Sequence, residues 1–163
     1  MRWTSTEAEL RQLLDAAQPS QSTPLPGERF DHGILLRLAE VFDCVSVTYQ
    51  VSEPFAERFE HVVSAEGGSI VDETQTDPDW ERFYWPAHWE SLSCCYPETT
   101  GDHESVTLGQ DFTTDLDYRN SFMGEMCDFM EVMLVPLPWA GELDRRLLLW
   151  RTAGDRFDTP SRE

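Results

Sequence analysis

Histidine and cysteine are the side chains best suited to acid–base, nucleophilic or metal chemistry near neutral pH, and this chain has four of each. His32, His61, His88 and His103 are scattered, without the spacing of a metal-ligand motif. His32 falls among apolar residues of an expected helix and reads as a surface or satisfied structural group. His61 falls mid-strand, where it could line a cavity. His88 is the most suggestive, because aromatic residues flank it. Cys44, Cys94, Cys95 and Cys127 form neither a CxxC pair nor a finger-like spacing. A bridge between the neighbours Cys94 and Cys95 would be strained, so all four read as thiols packed as small apolar groups. There is no P-loop, no GxGxxG after a strand, no HExxH and no GxSxG elbow. Carboxylates are so numerous that pairing any two of them on paper means nothing. The residues therefore point to no reaction, no metal and no cofactor, and a non-enzyme is expected.

What does stand out is binding chemistry. Three of the six tryptophans fall between Trp80 and Trp89, and a methionine-bearing segment follows further along. Aromatic rings and flexible thioethers make good walls for a small, mostly apolar or aromatic molecule, although they also fill ordinary cores. The expected lining is Phe83, Trp85, His88, Trp89, Tyr96, Met123 and Met126.

Several elements must hold these groups. Thr6-Glu7-Ala8-Glu9 has the capping-box pattern, and Leu10, Leu13, Leu14 and Ala17 then lay one apolar stripe along a short helix. Pro19 ends it, and residues 18–27 read as a linker. A helix of about twelve residues is marginal alone in water, so its stripe needs a partner. That partner is either its own domain or a second subunit, with Leu10, Leu13 and Leu14 in the paired surface. A second helix is expected from Glu28 to Phe42. In the strand that follows, Val45, Val47, Tyr49 and Val51 share one side while Ser46, Thr48 and Gln50 share the other. The sheet should thus have one dry face and one polar or lined face.

Arg58 to Ser64 should return antiparallel, with Glu66-Gly67-Gly68-Ser69 as the next loop. Asp77-Pro78 is a helix start, Pro86 should break or kink that helix, and Leu92 to Tyr96 read as a short strand before a turn-rich loop from Pro97 to Asp102. Thr114 to Met130 read as a third long helix with a wide apolar arc. Two strands, from Glu131 to Leu137 and from Leu143 to Arg151, read as a hairpin around Ala140-Gly141, the second suited to a central position. Helices among antiparallel strands make an α+β domain.

Length and charge narrow the partners. At 163 residues one main domain is expected, and the 40% apolar content is sufficient for a core. The net charge of −19 comes without any basic run longer than Arg145-Arg146. A duplex binder displaces counterions with clustered Lys and Arg, so direct nucleic-acid binding is not expected. No apolar run approaches the roughly 20 residues of a membrane span, and the N-terminus lacks signal-peptide regions. A cytoplasmic protein is the expectation.

The second half carries a recurring pattern: Phe83-Tyr84-Trp85-Pro86-Ala87-His88-Trp89, then Cys94-Cys95-Tyr96-Pro97, Thr100-Gly101-Asp102 and Val106-Thr107-Leu108-Gly109-Gln110-Asp111-Phe112. It continues through Met133-Leu134-Val135-Pro136-Leu137-Pro138 and closes on Arg145-Arg146-Leu147-Leu148-Leu149-Trp150-Arg151-Thr152-Ala153-Gly154-Asp155-Arg156-Phe157. This resembles the N-terminal GAF-like sensor region of actinobacterial LuxR-type helix-turn-helix transcriptional regulators, over residues 28–163. The resemblance implies a GAF-like fold, a central antiparallel sheet with helices on its faces, and a role in sensing and dimerising. Residues 1–27 would then be an amphipathic helix and linker, and residues 28–163 the sensor. The C-terminal DNA-binding domain of such regulators is absent from this chain, and Asp158-Thr159-Pro160 reads as the start of a further helix. The resulting expectation is a homodimeric, ligand-sensing regulatory domain that does not itself touch DNA. The alternative is a stand-alone acidic protein–protein interaction domain without a small-molecule ligand.

Overall fold

The computed structural model describes residues 32–74, 78–91, 94–109, 131–137, 143–152, 154–155 and 157. Its elements are α1 (Gly33–Val41), β1 (Ser46–Glu53), β2 (Arg58–Glu66), β3 (Ser69–Asp72), α2 (Pro78–Glu90), α3 (Tyr96–Thr100), β4 (Thr107–Leu108), β5 (Glu131–Pro136) and β6 (Asp144–Arg151). All strand pairs are antiparallel, in the order β3-β2-β1-β6-β5-β4. The architecture is α+β. Among the described residues no helix is long and apolar enough to cross a membrane.

The alternation along β1 sorts the two faces as its sequence requires. Val47, Tyr49 and Val51 lie in one core with Val63 and Ala65 of β2, Met133 and Val135 of β5, and Leu147 and Leu149 of β6. Helix α1 closes that face, burying Leu35 and Leu38. Its far end is held by β6: the Arg151 guanidinium donates to the Phe42 carbonyl at 2.6 and 3.1 Å, satisfying a helix-end acceptor. Asp43 then leaves the helix in the left-handed region, at φ 51°.

The opposite face is polar yet also covered. Ser52, Gln50 and Ser64 are buried there, and their register partners on β6 are charged: Gln50 stands opposite Arg146, and Ser52 opposite Asp144. A bulge between Val51 and Ser52 adjusts what β2 contributes. Val51 pairs with His61 but Ser52 pairs with Phe59, so Glu60 is the extra residue. Residues two apart on a strand normally share a face; here His61 stays on the α1 side with Val63 and Ala65, and the bulge turns Phe59 to the polar side.

Three local readings differ from the sequence expectation. Of the break or kink expected at Pro86, the break does not occur: α2 runs on to Glu90 with the proline on its exposed side. Within the segment expected as a strand and loop from Leu92 to Asp102, the described residues from Cys94 onward form a turn at Cys94-Cys95 followed by helix α3. Pro97 suits the first turn of that helix, whose missing amide costs nothing there, and Gly101 ends it at φ 73°. Strand β3, not expected from the sequence, pairs with β2 across the Gly67-Gly68 turn and is exposed along its length. The central place of β6 follows the expectation. The helix expected over 114–130, the turn at Ala140-Gly141, the N-terminal helix and linker, and the terminal Asp158-Thr159-Pro160 lie outside the described residues.

Candidate functional site beneath helices α2 and α3

Helix α2 lies over the polar face. Its inward residues Tyr84, Trp85, Ala87 and His88 follow helical spacing, and Tyr84, Trp85 and Ala87 pack with Phe59 in a small second core. Phe59 stacks on Trp85, with ring centroids 4.8 Å apart, and also meets Tyr84 at 4.9 Å. His88 is fully buried, with Trp85 at 5.4 Å and Trp89 at 5.1 Å edge-on to it.

Below this aromatic layer sits a charged cluster. Arg146 is ion-paired with Asp144, two residues away on the same strand face, and with Glu98 of α3. Its remaining donor reaches the Cys94 carbonyl at 2.8 Å. All three charged side chains are essentially inaccessible to water. Burial opposes charge on Arg146, but the Asp144 and Glu98 carboxylates outweigh it and hold the guanidinium protonated. Glu98 is pushed upward by burial, against the pull of Arg146. His88 is pushed down to about 3 by burial and by the Arg146 charge, so its imidazole is neutral.

Neutral His88 and raised Glu98 do not form an ordinary ion pair. Their facing atoms, His88 Nε2 and Glu98 Oε2, are 3.9 Å apart, too far for a hydrogen bond. Neither atom has a hydrogen-bond partner, and the same is true of buried Trp85 Nε1 and Asp144 Oδ1. On its other side His88 Nδ1 faces the Tyr84 hydroxyl at 3.5 Å. A buried polar atom without a partner costs on the order of 1–3 kcal/mol. Four such atoms, on His88, Glu98, Trp85 and Asp144, lie around the Arg146 cluster.

Of the residues expected to line a pocket, Trp85, His88 and Trp89 are brought together. Tyr96 is half-buried at the start of α3, its hydroxyl donating to Asp102 Oδ2 at 3.2 Å. Phe83 points outward and is 58% exposed. Met123 and Met126, like Leu10, Leu13 and Leu14 of the expected dimer surface, lie outside the described residues, as does Cys127. Cys44, Cys94 and Cys95 are free thiols. Sequence reasoning passed over Glu98, Asp144 and Arg146. Their signal was present: Asp144 and Arg146 fall two apart on a strand expected to be central, which places two charges on one buried face.

No known family, curated protein or solved structure matches this chain.

Among the described residues no group of three or more His, Cys, Asp or Glu is placed to hold a metal ion. An efficient general base has a pKa near the working pH, whereas His88 at about 3 holds protons far too weakly. Arg146 is already committed to three acceptors. What the site offers is a planar aromatic wall, an indole N–H, an imidazole nitrogen and two carboxylate oxygens.

Proposed function

We propose that this chain is a ligand-sensing regulatory domain that receives a small planar molecule between helix α2 and the polar sheet face. The observation that carries this reading is the pair of partnerless atoms, His88 Nε2 and Glu98 Oε2, 3.9 Å apart beneath Trp85. A heteroaromatic ring with a donor and an acceptor on its edge would satisfy both while stacking in the aromatic layer. The expected apolar or aromatic ligand thereby acquires a polar edge. The antiparallel sheet with helices on both faces is the architecture that a GAF-like sensor would have, and it supports placing the chain with LuxR-type regulators. In that role ligand binding would favour one of two subunit arrangements, with Leu10, Leu13 and Leu14 joining two copies, and DNA would be contacted elsewhere than on this acidic chain.

A thermal-shift series with planar heteroaromatic fragments tests this reading. Benzimidazole, which carries one donor and one acceptor, should raise the melting temperature of the native protein but not of the Glu98→Gln variant. No shift with any fragment would remove the ligand from the account.

The second reading is an acidic interaction domain without a small ligand. It is favoured by the rings that α2 and its neighbouring loop leave in solvent: Phe55 at 76% exposure and Phe83 at 58%. Under that reading substituting Phe55 and Phe83 would abolish a partner contact and leave fragment binding untouched.

A further inference from the structure

The α1 side of the sheet carries a second histidine arrangement, independent of the buried cluster. His32 stands at the N-cap of α1. His61 shares that face through the alternation of β2, in step with Val63 and Ala65. Both are half-buried. Their Nε2 atoms are 3.4 Å apart, their ring centroids 5.5 Å, and their planes differ by 28°.

That spacing is long for a hydrogen bond between ring nitrogens, whose mode lies near 3 Å. It does match two imidazoles on one metal ion. With metal–nitrogen bonds of roughly 2.0–2.1 Å and a tetrahedral angle, the two nitrogens stand about 3.3–3.4 Å apart and the centroids about 5.2–5.3 Å.

The surroundings favour a lone pair at that position. Thr74 Oγ1 lies 3.0 Å from His61 Nδ1, accepts the Val62 amide at 3.2 Å, and has the Val62 carbonyl 3.3 Å away. In the tautomer where the hydroxyl gives its single proton to that carbonyl, it accepts Nδ1–H from His61, and Nε2 then turns a lone pair toward His32. This is the outer hydrogen bond that orients metal-bound imidazoles. The Asp72 carboxylate adds a favourable field at both rings, and Tyr49 braces His61 edge-on at 5.9 Å.

We propose that His32 and His61 form a two-histidine site for a borderline transition-metal cation such as Zn²⁺ or Ni²⁺. Water or a small anion fills the other positions, since no third His, Cys, Asp or Glu among the described residues completes a set. Imidazole ligands select this class of cation over Mg²⁺ or Ca²⁺.

The test is calorimetric titration of the full chain with Zn²⁺, with ring-nitrogen NMR of the histidines in parallel. One equivalent should bind and shift the Nε2 signals of His32 and His61. Affinity should fall at least about 10-fold in His32→Ala and in His61→Ala. Thr74→Val should weaken binding about 10-fold while both rings remain. A Cys94→Ser, Cys95→Ser double variant should bind as the native chain does, separating this site from the thiols. Undiminished binding in both histidine variants, unmoved ring nitrogens, or no uptake at all would overturn the proposal.

Discussion

Arg146 of the central strand and Glu98 of the short helix α3 form an ion pair across 48 residues of sequence, both side chains withdrawn from water. Asp144 completes a triad in which one cation faces two carboxylates. Such a cluster is costly to desolvate and fragile when one member is lost. Arg146→Ala should therefore lower the unfolding free energy by about 3–5 kcal/mol, read from urea denaturation, because Asp144 and Glu98 would be stranded. Replacing Arg146, Asp144 and Glu98 together by Met, Leu and Leu should cost far less. If the single and triple variants are equally unstable, the triad is not what joins α3 to the sheet.

Acid should weaken the fold through His88. Its folded-state pKa, about 3, lies below the ordinary 6.5, so between these values the unfolded chain binds the extra proton. Stability then falls as pH drops through this window, by up to about 1.4 kcal/mol per pH unit. Glu98 acts with the opposite sign: raised above its ordinary 4.5, it makes the folded state hold its proton more tightly as pH falls. His88→Gln removes the first effect and leaves the second. Urea midpoints at pH 5 and 7.5 should differ less in that variant than in the native chain, and equal differences would contradict the buried, neutral imidazole.

Pro86 lies in the interior of α2 with its ring on the exposed side. It supplies no amide to the helix and crowds the carbonyl four residues back. Pro86→Ala should stabilise the protein by about 1–3 kcal/mol and slow amide exchange in α2. A loss of stability would mean that Pro86 itself is needed to seat Ala87 and His88 on the sheet.

Much of this was legible in the sequence. The period of two in β1 separates a dry face from a polar one, and the apolar run of β6 identifies a central strand. The aromatic-rich stretch from Trp80 to Trp89 points to Trp85, His88 and Trp89 as neighbours, and the structure brings them together. Three things were not legible, each for a physical reason. Pro86 signals a break, but packing of Tyr84, Trp85 and His88 against the sheet outweighs its local penalty. The segment from Tyr96 to Thr100 is too short for a periodic pattern, and its helix is fixed by Pro97, Gly101 and the tertiary pull of Arg146 on Glu98. The Glu60 bulge depends on cross-strand register, which no local pattern encodes, yet it decides that His61 and Phe59 serve opposite faces.

The expected pairing of two copies has its own check. Leu10→Glu with Leu14→Glu should halve the mass measured by solution scattering. An unchanged mass would detach the N-terminal stripe from dimerisation.

The sensing role rests on the buried atoms beneath α2 meeting a polar-edged ring, and nitrogen-resolved NMR of the native chain during benzimidazole addition addresses it most directly. The Trp85 indole N–H and the His88 ring nitrogens should move together and saturate at one equivalent. Movement confined to the exposed Trp80, or none at either residue, would contradict the account.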